Sequence, residues 1–221
     1  GTTSNELKFT KNLPSLGAKY NINDANQIRL AYSETFVYPD FREFVDAEFI
    51  HPVFLAKVAG NPDLVETDIQ SVDLRYDYFF NNIDSISASL FYKHMDNPIE
   101  DTQTFTTGTL PRYSFENSAA ADLAGIELSW YKNLGFIAGA LDDFVFSGNY
   151  TYIDSKVELT PEQQRKFVTQ DRGLQGLSPQ VLNLSFTYEQ SDNRTLNLSY
   201  NKMSERLMRV ALKNGTVIYA L

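Results

Sequence analysis

Side chains alternate between apolar and polar through most of this chain, and the segments that do so are joined by connections that are alternately very short and very long. From Asp68 to Phe80 one face carries Val72, Leu74, Tyr76, Tyr78 and Phe80, and the other carries Ser71, Asp73, Arg75 and Asp77. The same period recurs around Leu16–Ile22, Gln27–Val37, Ser85–Met95, Ile126–Trp130, Phe144–Tyr152, Leu182–Tyr188 and Leu196–Tyr200. A period of two is the mark of a β-strand with one apolar face, because successive side chains point to opposite sides of a sheet. This predicts an all-β, antiparallel up-and-down meander of about 8–9 strands, the ninth beginning near Thr216.

The connections sharpen the prediction. Tight links are expected around Asn23-Asp24, at Asn81-Asn82-Ile83-Asp84 and at Ser191-Asp192-Asn193, with a slightly longer one at 133–141. Asn and Asp suit such turns because they tolerate positive φ. The links at 38–67, 96–121 and 154–179 are far longer than ordinary loops. In an antiparallel meander alternate links lie at opposite ends, so all the long loops share one end of the sheet. Helices are expected only inside them, at 161–168 after the Thr160-Pro161 start signal and at 40–49.

One-sided loops, strands of about ten residues and an apolar face describe a segment of a transmembrane β-barrel. Composition agrees: 14% of residues are aromatic, and amphipathic rings favour the membrane–water boundary. Two other architectures share the alternation. One is a soluble β-sandwich that binds carbohydrate; the other is a complete eight-stranded membrane barrel with a structural or adhesion role. The chain has no Cys, which excludes disulfides, thiolate metal sites and cysteine nucleophiles. Its net charge of −9 argues against nucleic acid as a partner. Its two histidines, His51 and His94, lack a second ligand at metal spacing, and no catalytic motif occurs, so neither enzyme activity, cofactor nor metal is expected.

Several short words, in order, resemble one family. Leu13-Pro14-Ser15-Leu16 comes first, then Ala31-Tyr32-Ser33-Glu34-Thr35-Phe36 running on to Pro39-Asp40-Phe41-Arg42-Glu43. Gly60-Asn61-Pro62-Asp63-Leu64, Phe91-Tyr92-Lys93, Asn97-Pro98-Ile99-Glu100 and Gly125-Ile126-Glu127 follow. Together they resemble the barrel of TonB-dependent outer-membrane receptors; Tyr38 departs from the arginine more usual before the proline. The resemblance implies that residues 1–221 are a single segment from the C-terminal part of a 22-stranded barrel, lacking the plug domain. It further implies TonB-energised uptake of a scarce nutrient such as an iron-siderophore, cobalamin or an oligosaccharide, across the outer membrane of a Gram-negative bacterium. The implied partners are outer-membrane lipid, the plug of the same receptor, TonB acting through that plug, and the small nutrient ligand. An excised segment would also have open strand edges prone to self-association.

Candidate binding residues are sought on the long loops, since binding groups sit on loops held by a rigid scaffold. Arg42, Asp46, Arg112, Tyr113, Asp171 and Arg172 are the substrate-binding candidates, with His51 and Arg165 on the same loops. Asp73, Arg75 and Asp77 are expected on the lumen wall, as a charge ladder or as plug contacts.

Overall fold

The structure is a computed structural model and describes residues 11–51, 55–104, 110–190, 194–210, 212–213 and 218–220. In chain order its elements are β1 (Ser15–Asn23), β2 (Asn26–Val37), α1 (Phe41–Phe44), β3 (Glu48–His51), β4 (Ala56–Ala59), β5 (Thr67–Phe79) and β6 (Ser85–Asp96). They continue with β7 (Ile99–Thr104), β8 (Arg112–Asn117), β9 (Ala120–Asn133), β10 (Phe144–Glu158), α2 (Pro161–Lys166), β11 (Gln180–Gln190), β12 (Arg194–Met203), β13 (Arg206–Arg209) and β14 (Ile218–Ala220).

Eight strands form one antiparallel sheet in the order β1-β2-β5-β6-β9-β10-β11-β12. This is the meander expected from the period, and the fold is that of a barrel segment. It is not a closed small barrel: β1 and β12 end the sheet and do not pair with each other. Nor is it a sandwich, because among the described residues no second sheet covers its apolar face. Leu30, Leu74, Leu90 and Leu198 on that face are 49%, 43%, 54% and 71% exposed, whereas Gln27, Ser71, Asp77 and Ser87 on the polar face are buried. A sheet folded for water would reverse this; apolar residues outward and polar residues inward are the arrangement of a membrane-barrel wall.

Register gives the apolar band a boundary. Glu34, Gln70, His94 and Asp122 are mutual neighbours in one row across β2, β5, β6 and β9, and they are the first polar residues on the outward face towards the long loops. That row meets Lys156 on β10, but there the band already ends at Asp154. On β11 it ends at Gln180, opposite Tyr152, and on β12 at Lys202, which pairs with Leu182 and through it with Tyr150. The boundary is therefore level from β2 to β9 and then descends towards the turns by two residues per strand from β9 to β12.

Beyond the boundary the pattern inverts. Ala121, Leu123 and Val157, on the opposite face of β9 and β10, are buried, and the outward positions there include Asp122, Asp154, Lys156 and Glu158. Ala121 and Val157 join Leu159, Phe167, Leu207, Val210 and Leu212 in the hydrophobic core of the described residues, which lies among the loops. This inversion explains why β9 runs from Ala120 to Asn133, well beyond the expected Ile126–Trp130.

The long connections are more structured than their sequence suggests. They carry a second sheet, β3-β4-β8-β7, in which β4 and β8 run parallel. α2 matches the expected short helix, with Thr160 and Gln163 completing a reciprocal capping box. The helix expected at 40–49 stops at Phe44, because the chain turns at Val45 and enters β3. Thr216, where a ninth strand was expected to begin, lies outside the described residues, as does the Ser191-Asp192-Asn193 turn. Ile218–Ala220 pairs with β13 instead of extending the large sheet.

Candidate ligand cleft on the loop sheet

The family-like words in the loops do identifiable structural work. Asp40 caps α1, accepting from the Arg42 N–H at 3.0 Å, while the Glu43 carboxylate accepts from the Asp40 N–H at 2.8 Å. Asn61 then ties the end of this helix to β8: its N–H donates to Glu43 O at 2.6 Å and its side-chain amide donates to Phe115 O at 2.8 Å. Gly60 beside it is required by close approach, since a Cβ there would lie 2.0 Å from Val45 O.

Asn97 and Pro98 deliver Glu100 into the loop interior. Its carboxylate meets the Arg172 guanidinium in a two-pronged pair, each oxygen 2.7 Å from its nitrogen, with both side chains 3% exposed. Ser118 Oγ donates to the same carboxylate at 2.7 Å and the Gln175 N–H at 3.4 Å. Gln175 in turn accepts from the Asp101 N–H at 2.7 Å and donates to Asp101 O at 3.0 Å and Met208 O at 2.7 Å. Three stretches of chain, around 100, 175 and 208, are thereby clasped together. Such a pair is costly to break because either partner alone would be a buried charge.

The clasp places Asp101 and Arg209 at the edge of a cleft of about 420 Å³ between α1 and the loop sheet. The cleft is lined by Arg42, Phe49, His51, Asp101, Tyr113 and Arg209, among others. The Arg209 guanidinium lies 4.1 Å from the centre of the Tyr113 ring, and its Nε is 3.8 Å from the Asp101 carboxylate. Burial pushes the Asp101 carboxyl above its ordinary range, opposed by the charges of Arg209 and His51. Rings beside guanidinium groups suit an anionic, ring-bearing ligand.

Of the six loop candidates, the cleft brings together Arg42 and Tyr113. Arg112 instead pairs with Glu48 at 3.1 Å, beside Lys57, and these two cations hold the Glu48 carboxyl below its ordinary range, Lys57 by the larger effect. Arg172 is in the clasp, and Asp46 and Asp171 are exposed and do not line the cleft. Asp101, Phe115, Met208 and Arg209 line it without having been signalled by any period or motif. On the polar face of the large sheet, Asp77 is buried between Arg75 at 2.8 Å and Arg29 at 3.0 Å, and Arg75 also donates to Ser87 at 2.8 Å. Asp73 is exposed on that face. Among the described residues no three His, Asp or Glu side chains converge as a metal site would require.

Residues 1–215 match a family model described as TonB dependent receptor-like, beta-barrel. No curated protein matches the sequence. Similar solved structures include a variant of the ferric enterobactin receptor PfeA of Pseudomonas aeruginosa, with a TM-score of 0.57 at 14% identity over 89% of this chain. The siderophore receptor PirA of Acinetobacter baumannii gives 0.54 at 16% identity over 88%, and the copper transporter OprC gives 0.62 at 13% over 87%. The chain spans only 28%, 29% and 26% of the lengths of those three chains.

Proposed function

We propose, from the premise that this chain belongs to the TonB-dependent receptor-like β-barrel family, that it forms part of the wall and outward loops of an outer-membrane nutrient receptor in a Gram-negative bacterium. In this reading residues 1–221 are one barrel segment. The remaining strands, the plug and the TonB-contacting segment are supplied by the rest of the receptor. The segment binds and conducts and does not catalyse. The nutrient is an iron-siderophore, cobalamin or an oligosaccharide, taken up when TonB acts on the plug. The Arg29–Asp77–Arg75 ladder, with Asp73, faces the plug from the polar wall.

The observation that carries the reading is the joint one of an exposed apolar sheet face and, at the long-loop end, a cleft combining Arg42, Arg209 and Tyr113. That chemistry favours an anionic metal chelate over a neutral sugar. The test is uptake by cells carrying the complete receptor, using radiolabelled ferric enterobactin, cyanocobalamin and a maltooligosaccharide as probes, with and without functional TonB. One probe is expected to accumulate only with TonB, and Arg209→Ala and Tyr113→Ala each to weaken its binding by about tenfold or more. Absence of TonB-dependent accumulation of all three would overturn the nutrient assignment.

A further inference from the structure

At the end opposite the cleft, two neighbouring turns carry large apolar side chains where hydrated turns would be polar. Phe80 and Ile83 of the first are 52% and 69% exposed, and Phe136 and Ile137 of the second are 68% and 63% exposed. The turns are locked together. The Asp84 carboxylate accepts from Lys132 Nζ at 2.6 Å, from the Asn133 N–H at 2.9 Å and from Asn81 at 3.0 Å. Lys132 Nζ also lies 4.4 Å from the centre of the Phe80 ring and 5.0 Å from that of Phe136.

Register shows which way this cluster faces. Lys132 pairs with Phe146 and is two residues from Trp130, whose ring centre is 5.8 Å from that of Phe146. Phe80, Lys132 and Trp130 are all on the outward face. Phe136 therefore continues the apolar band past the ends of the strands. Part of the backbone there is satisfied from within: Ile137 N–H donates to Leu134 O at 2.9 Å, Leu141 N–H to Ala138 O at 2.8 Å, and Asn133 Oδ1 accepts from the Gly135 N–H at 2.8 Å. Each such internal bond lowers the cost of placing the turn in lipid. The single cation of the cluster is neutralised by Asp84 and covered by two rings, as a group facing low dielectric must be.

We propose that the turns 81–84 and 133–143 form a collar immersed in the phospholipid leaflet at the turn end of the barrel, with Ile83, Phe136 and Ile137 seated among the headgroup-proximal acyl chains. Lipid is the occupant because the collar is continuous with the lipid-facing band and shares its outward direction. Between the two turns an open cleft of about 720 Å³ is lined on one side by Asp142, Asp143 and Glu189 and on the other by Ile83, Lys132 and Phe136 of the collar. The inference rests on the membrane reading of the sheet but goes beyond it, since turns of this kind are ordinarily placed in water.

The test uses the complete receptor reconstituted in phosphatidylcholine vesicles with ordinary or brominated acyl chains. Trp130 is the only tryptophan of this chain, and a Trp130→Phe background, with any tryptophans elsewhere in the receptor removed, accepts new indoles one at a time. Phe136→Trp and Ile137→Trp report the collar, and Leu198→Trp in the band is the control. The expected result is that the collar indoles lose as large a fraction of their emission to brominated lipid as the control does, and resist acrylamide added in water. If the control is quenched by brominated lipid while both collar indoles respond only to acrylamide, the collar proposal is overturned. If the control also fails to respond to brominated lipid, the membrane reading itself is overturned.

Discussion

Replacing Glu100 by leucine isolates the energetic role of the loop clasp. The substitution leaves the Arg172 guanidinium, now 3% exposed, without a counter-charge. It also removes the acceptor of Ser118 Oγ. Loss of one partner of a buried pair costs about 3–5 kcal/mol. At about 1.4 kcal/mol per factor of ten, the loop block should open roughly 10²- to 10⁴-fold more often. The effect is local, because the clasp joins loops and not the strands of the large sheet. Native-state hydrogen exchange, under conditions where rates report the opening equilibrium, reads it at amides closed by the loop block. These include Val157 N–H, which donates to Arg172 O at 3.1 Å, and Gly176 N–H, which donates to Leu207 O at 2.8 Å. They should lose protection by that factor while amides in the middle of β5 and β6 keep theirs. Adding Arg172→Met should recover most of the protection, since the charge left behind is removed and its space is filled. If the single variant leaves loop amides within tenfold of the parent, or if the double variant is worse than the single, the reasoning fails.

Two further outcomes follow from other contacts. The Asp101 carboxyl has its folded pKa raised by burial, so its favourable contribution to the loop block is complete below the unfolded value and is lost as pH rises through the folded one. Asp101→Asn should flatten this decline, measured as the urea midpoint of loop proteolysis across a pH series, and an unchanged slope would contradict it. Gly148 lies under the Trp130 ring, and a Cβ would come 2.7 Å from that ring and 2.5 Å from Asn183 O. Gly148→Val should therefore displace the ring and destabilise the sheet by about 1–3 kcal/mol, visible as a shift in the indole emission; an unshifted spectrum would contradict it.

The eight strands of the large sheet were legible because each crosses one uniform solvent with one face. Where the solvent changes, legibility ends. Ala120–Leu123 belong to β9 but not to its lipid-facing period, since Asp122 faces outward there and Ala121 and Leu123 inward. The loop sheet escaped notice for a related reason. β7 buries Glu100 and Thr102, polar residues with no apolar period to announce them. The candidate site was legible only as far as Arg42, His51 and Tyr113. Asp101 and Arg209 are placed by a clasp whose charged partners are 72 residues apart in sequence, a separation at which local pattern carries no information.

The descending boundary of the apolar band has a geometric meaning. From Glu34 on β2 to Lys202 on β12 the boundary falls by six residues, from the row of Lys156 to that of Tyr150, across six strand-to-strand steps. The fall is confined to the last three steps, at two residues each, and averages one residue per step over all six, roughly 3.3 Å along a strand against about 4.8 Å between strands, a mean slope of about 35°. That is the tilt at which membrane barrels hold their strands. The mean line of the band is thus level with a flat bilayer when the strands lean by this angle. Because outward positions recur every second residue, a strand that pairs with the open edge of β12 and continues the trend of β10–β12 must carry its first outward polar residue two positions lower still.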